Sequence, residues 1–300
     1  MKIATFDVGG TAIKYCVMDG DKMTHRGKTP TKSSTQEEFL GVLDSILRDM
    51  GEVDGVAFSL PGTIDVDTRY IKTGGALPCN YDVDAGEWEY HFGMPVELEN
   101  DARCSVIAEY EAGNLQGVKQ GMVLAFGTGI GGGIVINGEV YKGRNLYAGE
   151  VSMIDFEAPV PERGDQGTFF TDECSTIGLT QAVARSLGLE EVSGEEAMRL
   201  IRAGDKRACE VFDRFLAILS REIHNIQCLI DPERICLGGG ISQNPFFVDS
   251  VCKAVESFNS RLAFAFPNPD IVACKYFNDA NLIGAYGHYL RQRRKRGQSL

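Results

Sequence analysis

The chain has 300 residues, 43% of them hydrophobic and 24% charged, ordinary for a globular protein and too long for one comfortable core, so two α/β lobes are expected. With 30 basic against 42 acidic side chains the net charge is −12, which repels nucleic acid and anionic membrane over most of the surface. Nine dispersed cysteines with no CxxC pair predict reduced thiols in a reducing compartment. No signal peptide precedes Asp7 and no apolar run is long enough to span a bilayer, so a cytoplasmic protein is expected.

In chain order, Ile3 to Met18 reads as two short strands pinched together by Gly9-Gly10-Thr11. Such a turn lets the backbone approach a bulky ligand and point N–H groups inward. Asp7 puts a carboxylate at the mouth of the turn, where a hydrated magnesium ion would suit it. A plain hairpin with a solvated Asp is the alternative. A third strand near Lys22 to Lys28 follows, then a helix capped by Ser34 with Glu37 as capping-box partner. Its stripe of Phe39, Leu40, Leu43, Ile46, Leu47 and Met50 packs on the sheet, and Gly51 ends it.

Val53 to Leu60 reads as a buried strand, and Thr63 to Gly93 as a long loop with Trp88 on its surface. Pro95 to Asn100 is a strand that runs into a helix beginning near Ala102, so Asp101 sits at the junction. Asp101 is there either an N-cap or a carboxylate at a strand end, facing a cleft as general base.

A second cycle opens at Gly121: strand, a glycine-rich turn over Gly127 to Gly133, strand, an Asn137-Gly138 hairpin turn, and a return strand. These glycines match GxGxxG, but a strand follows where a dinucleotide site needs a helix, so that assignment is rejected. What remains is a second hairpin resembling the first, which suggests two related lobes gripping one polyphosphate. Glu150 lies in a loop, and the Pro- and Gly-rich stretch from Pro159 to Gly167 reads as another. Helices follow over Ser175 to Leu187, after Ser193 with Glu196 completing its box, and over Lys206 to Ile230. A strand ends in Gly238-Gly239-Gly240, Asn244-Pro245 opens a helix, and a further strand over Ile271 to Tyr276 precedes the last helix. The basic run Arg291 to Arg296 in that helix is read as solvated.

Glycine turns at three strand ends, with Asp7 and Asp101 beside them, supply the parts of phosphoryl transfer: phosphate cradling, a metal anchor and a base. No Walker-type P-loop and no protein-kinase signature occurs. Asp7-Val-Gly-Gly-Thr11, Glu99-Asn-Asp-Ala102, Phe126-Gly-Thr-Gly-Ile-Gly-Gly-Gly133, Ala148-Gly-Glu150 and Leu237-Gly-Gly-Gly240, in this order, resemble the ROK sugar kinases. The resemblance covers nearly the whole chain. It implies a two-lobed α/β fold of the actin-like (ribonuclease H-like, hexokinase-like) ATPase type, with residues 1–118 and a C-terminal helix over 279–300 forming one lobe and 119–278 the other. It implies ATP and Mg²⁺, with Asp7, Gly9, Gly10, Thr11 and Lys14 at metal and phosphate, Gly127, Thr128 and Gly129 at the β/γ-phosphates, and Gly238, Gly239 and Gly240 beside the adenosine. Asp101 would be the base, and Asn80, Asn100 and Glu150 would bind sugar hydroxyls. A homodimer is also implied.

The phosphate turn starts too early for the DNA-binding domain of the family's repressors, so nucleic acid is not an expected partner. Met153 stands where many relatives of this type carry a His, and of their Cys-x-Cys zinc knot only Cys174 is present, so no zinc is expected. Asp172 or Glu173 is a candidate for the acid displaced from the sugar site. The reaction expected is ATP-dependent phosphorylation of a hexose hydroxyl, the 6-hydroxyl in particular. A β-glucoside or N-acyl-amino-sugar kinase and a catalytically silent sugar-binding regulator are the alternatives.

Overall fold

The computed structural model describes residues 1–157 and 168–297; the proline-rich stretch read as a loop over 159–167 lies outside the described residues. The chain divides into two compact units. Unit 1 is Met1–Glu111 with Lys142–Tyr147 and Asp279–Leu300, and unit 2 is Ala112–Tyr141 with Ala148–Asn278.

Unit 1 opens with the antiparallel meander β1 (Lys2–Val8), β2 (Ala12–Asp19) and β3 (Lys22–Pro30). Helix α1 (Gln36–Met50) follows, capped by Thr35, whose hydroxyl accepts the Glu38 N–H at 3.1 Å. The cap is thus one residue later than Ser34, because Thr35 is the residue that turns extended just before the first helical one. Strand β4 (Gly55–Leu60) lies parallel to β1. The segment expected to be a long loop instead folds into a small sheet, β5 (Thr63–Asp65), β6 (Tyr70–Thr73) and β7 (Val83–Asp84), with helix α2 (Trp88–Phe92) after it. Trp88 is not surface decoration: it is buried, with its ring 5.9 Å from Phe39 and 5.4 Å from Phe58. Strand β8 (Val96–Asn100) pairs parallel with β4 and passes straight into α3 (Asp101–Ala112). The sheet order is β3-β2-β1-β4-β8.

Unit 2 repeats this plan. Strands β9 (Gly121–Phe126), β10 (Ile130–Ile136) and β11 (Glu139–Tyr141) form the meander. A short hairpin, β12 (Asp155–Glu157) and β13 (Thr168–Phe169), leads to helices α4 (Phe170–Cys174), α5 (Thr176–Leu187), α6 (Gly194–Arg202) and α7 (Lys206–Ile230). Then come β14 (Arg234–Gly238), α8 (Pro245–Asn259) and β15 (Asp270–Ala273), giving the order β11-β10-β9-β14-β15. Gly131, Gly132 and Gly133 lie inside β10 rather than in the turn. A Cβ on Gly132 would stand 2.5 Å from the Gly149 carbonyl, and one on Gly149 would lie 3.0 Å from the Gly133 Cα, so Gly132 and Gly133 serve close packing of the 149–151 segment.

The chain then returns to unit 1 as α9 (Ala280–Lys295). Side chains alternate across the first sheet. Phe6, Phe58 and Leu98 face the core shared with α1, while Ile3 and Ala57 face a smaller core with Cys104 of α3 and Tyr289 of α9. A Cβ on Gly284 would lie 1.8 Å from the Cys104 carbonyl, so only glycine lets α9 settle this close to α3. The basic run of α9 is not simply solvated: Arg291 pairs with Glu111 at 3.0 Å, Lys295 with Asp67 at 2.7 Å, and Arg296 with buried Glu97 at 3.3 Å.

Burial pushes the Glu97 carboxyl up to about 7, with the Arg296 guanidinium opposing it. Folding therefore strengthens proton binding. The stability linked to this group is greatest below its ordinary value of 4.5 and is lost as the pH rises through about 7. Glu97→Gln is expected to remove that slope, worth on the order of 3 kcal/mol across the window. Urea denaturation followed by Trp88 fluorescence at a series of pH values checks it; an unchanged slope would refute the assignment.

Candidate active site

In unit 1 the polar residues gather where the parallel strands end. Asp7 and Ser59 are the next-to-last residues of β1 and β4, and Asn100 is the last of β8. Strand pairing sets Asp7 opposite Lys14 on one side and opposite Ser59 on the other. The nearly buried Asp7 carboxylate accepts from Ser59 Oγ at 3.3 Å and from Asn281 Nδ2 at 2.8 Å on Oδ1, and from Lys14 Nζ at 3.3 Å on Oδ2. Asn281, in the first turn of α9, is fixed in turn by the Ser105 hydroxyl at 2.6 Å. A carboxylate oriented by fixed amide and hydroxyl donors and flanked by an exposed turn fits a hydrated magnesium ion, so Asp7 is the residue that would hold one. In the turn itself, Gly9 N–H donates to the Ala12 carbonyl and the Gly9 carbonyl accepts from Thr31 Oγ1 at 2.6 Å. Thr11 is exposed, and a Cβ on Gly10 would meet Ala76 at 2.8 Å.

Asn100 caps α3: its Oδ1 accepts the Arg103 N–H at 3.2 Å, and its amide donates to the Gly62 carbonyl at 3.1 Å. Asp101, half-buried as the first helical residue, accepts the Ala102 N–H on Oδ1 at 2.8 Å. Capping thus falls to Asn100. Asn80 is buried in a one-turn helix, its Oδ1 taken by Gln36 Nε2 at 2.5 Å, while its Nδ2 has no hydrogen-bond partner.

Beneath this edge lies a charge cluster that sequence reading missed. Glu99 is completely buried; its carboxylate accepts from Lys142 Nζ and lies 3.7 Å from His288 Nδ1 and 3.8 Å from Arg103 Nη1. Burial pushes this carboxyl up, but Lys142, His288 and Arg103 outweigh it and hold it below the usual carboxylate range. Burial drives His288 down to about 4, against the pull of Glu99.

In unit 2 two of the glycine turns adjoin. β9 and β14 are parallel neighbours, and Gly127-Thr128-Gly129 and Gly238-Gly239-Gly240 follow from their C-terminal ends. Gly239 has φ +86°, and a Cβ there would fall 1.9 Å from the Phe126 carbonyl. The Gly127 carbonyl receives the Thr176 N–H at 3.1 Å, and Thr171 Oγ1 receives that of Ile130 at 3.1 Å. Exposed Gly127, Thr128 and Gly240 leave room for a bulky anion at the strand ends, the edge where ligands meet parallel sheets. Glu150 is exposed and accepts from Ser152 Oγ at 2.5 Å. Asp172 accepts the Phe169 N–H at 3.0 Å and Glu173 pairs with Arg214 at 3.4 Å, so both candidate acids already have partners within their unit. Cys174 is buried, with its thiol pushed up by burial, and Met153 is exposed. Among the described residues no group of three or more His, Cys, Asp or Glu is placed to hold a metal, and no helix is long and apolar enough to cross a membrane.

The ROK family model matches residues 3–291. The chain belongs to the ROK family. A beta-glucoside kinase of Listeria monocytogenes is 34% identical over 97% of this chain and 98% of its own length. An N-acetyl-D-glucosamine kinase of Photobacterium profundum is 29% identical over 93% and 96%. A crystal structure of a ROK family protein from Streptococcus pneumoniae in complex with sucrose superposes with a TM-score of 0.88, at 33% identity, over 98% of this chain and all of that one. The fold is accordingly the actin-like ATPase fold of ROK kinases, and similarity over nearly the whole length to relatives named as sugar kinases supports an ATP:sugar phosphotransferase.

Of the donors to Asp7, Ser59 and Asn281 are not assigned from the sequence, and Asn281 is the more distant along the chain. Asn281→Ala is expected to lower kcat/KM by roughly 10–100-fold, as outer-shell partners of metal sites typically do, and to raise the magnesium needed for half-maximal rate. Magnesium titration of ADP release checks this; an unaltered magnesium requirement would remove Asn281 from the site.

Proposed function

We propose that this ROK kinase transfers the γ-phosphoryl group of ATP to the 6-hydroxyl of a hexose unit, with Asp101 as general base. The observation that carries the reading is the division of labour at the start of α3: Asn100 serves the helix cap, and Asp101 stands beside it at a strand's C-terminal end. The Asp101 carboxylate takes the hydroxyl proton as the oxygen attacks phosphorus, and the bond to the leaving ADP oxygen breaks. The unpartnered Nδ2 of buried Asn80 supports a role as donor to a sugar hydroxyl; Asn100 and Glu150 complete the sugar contacts in this reading. Lys14 and the Gly9-Gly10-Thr11 turn bind phosphate, Gly127, Thr128 and Gly129 the β/γ-phosphates, and Gly238, Gly239 and Gly240 border the adenosine. Asp7 would hold Mg²⁺, which when bound would supply neutralisation of phosphate charge. The enzyme works in the cytoplasm as a homodimer, without zinc, nucleic acid or membrane.

A second reading is favoured by relatives that are 34%, 33% and 30% identical and carry the name beta-glucoside kinase: the hexose unit is then the glucosyl end of a β-glucoside.

The test is ADP release from Mg-ATP with glucose, mannose, fructose, N-acetylglucosamine, N-acetylmannosamine and cellobiose, for wild type and Asp101→Asn. Sugar-dependent release is expected to fall roughly 10²–10⁴-fold in the variant, with KM for the sugar little changed. Cellobiose outperforming glucose would select the β-glucoside reading. Full activity in Asp101→Asn would reject the base, and sugar binding without turnover in wild type would reveal a silent regulator.

A further inference from the structure

Two glutamates of β8, Glu97 and Glu99, point to the face covered by α9, and both are buried. They differ in what reaches them. Among the described residues Glu97 has one close ion-pair partner, Arg296, with Arg69 and Arg293 further off, and keeps one carboxylate oxygen without a hydrogen-bond partner. Glu99 is surrounded by Lys142, Arg103 and His288, and its second oxygen accepts the backbone N–H of Asn100 at 2.8 Å. β8 is the edge strand of its sheet, so one side of its backbone has no neighbouring strand. The Glu99 carboxylate completes that edge at the residue before Asp101.

Lys142 comes from the segment Lys142–Tyr147, which lies in unit 1 although the strands preceding it and the residues following it belong to unit 2. The segment is fastened twice: Lys142 Nζ donates to Glu99, and the Leu146 carbonyl accepts from Arg103 Nη2. Both fastenings end on the three-residue span around Asn100 and Asp101 or on the first turn of α3. Buried ion pairs rarely add net stability over apolar side chains of the same size, so stability alone gives little reason for this one.

We propose that Glu99, clamped by Lys142, is a positioning residue that fixes the Asn100–Asp101 peptide and thereby the direction of the Asp101 carboxylate. The proposal rests on the reading of Asp101 as the base. Lys142, a fifth exposed, is the member that can be changed with least damage to the core.

The experiment compares Lys142→Met and Lys142→Arg with wild type by amide hydrogen exchange and by steady-state kinetics. In Lys142→Met, exchange is expected to quicken about tenfold over residues 99–103 and stay unchanged in β1 and β4, since local opening is independent of global unfolding. kcat is expected to fall roughly 10–100-fold, the usual scale for a lost orienting partner, with the sugar KM within about threefold. Lys142→Arg keeps the cation and is expected to restore most of both. Unchanged exchange over 99–103 in Lys142→Met overturns the proposal, as does equal impairment of the Met and Arg variants, or quickened exchange throughout the sheet, which would mark a purely structural role. Full turnover in Asp101→Asn would sink the base assignment separately, while the exchange comparison still decides whether Glu99 orders this peptide.

Discussion

The contact on which unit 1 depends is the close approach of α9 to the backbone of α3 at Gly284. Any side chain there would overlap the Cys104 carbonyl, so the two helices would separate by the width of a methyl group or more. That spacing sets the height of Asn281 above β1, where its amide meets Asp7 and its oxygen meets Ser105. It also brings His288 and Arg296 down onto Glu99 and Glu97. The polar face of the sheet is therefore closed by one helix whose side chains answer each acid in turn. The opposite face, packed by α1 around Phe6, Phe58 and Trp88, has an apolar centre and serves to keep the strands in register.

The two units share one plan, a three-stranded antiparallel meander followed by two parallel strands. In each, the chemistry-bearing turns fall at the carboxyl ends of the parallel strands. Unit 1 offers the Asp7 carboxylate there beside its own glycine turn, and unit 2 offers glycine backbone without a carboxylate in the turn. Free N–H groups and small side chains suit an anion; an oriented carboxylate suits a cation. One folding pattern thus presents complementary chemistry on its two occurrences.

Much of this was legible in the sequence because it is written locally. Gly9-Gly10-Thr11, Asn137-Gly138 and Gly51 mark turns by backbone chemistry alone, and the bounds of α7 follow from its periodicity and Asp231-Pro232. The recurrence of the hairpin revealed the repeated plan, and the ordered motifs carried the family. What stayed hidden depends on partners far along the chain. Asn281 is 274 residues from Asp7, and Lys142 is 43 from Glu99. Alternating Glu97 and Glu99 look like the wet face of a strand until α9 covers them. Trp88 sat among turn-forming residues, and nothing nearby showed that Phe39 and Phe58 would enclose it. Gly132 and Gly133 were drawn into the turn because glycine signals both a bend and a close approach, and here it is the second.

The return of the chain to its starting unit has a consequence for biosynthesis. As the polypeptide emerges, the strands of unit 1 come first but lack the helix that covers Asp7, Glu97 and Glu99. Unit 2, apart from the short Lys142–Tyr147 excursion, is drawn from one later stretch and has all its strands and helices before α9 is made. The first unit to begin is thus the last to finish, and the face that carries Asp7, Glu97 and Glu99 beside the apolar Ile3 and Ala57 stays uncovered until residues 280–295 leave the ribosome.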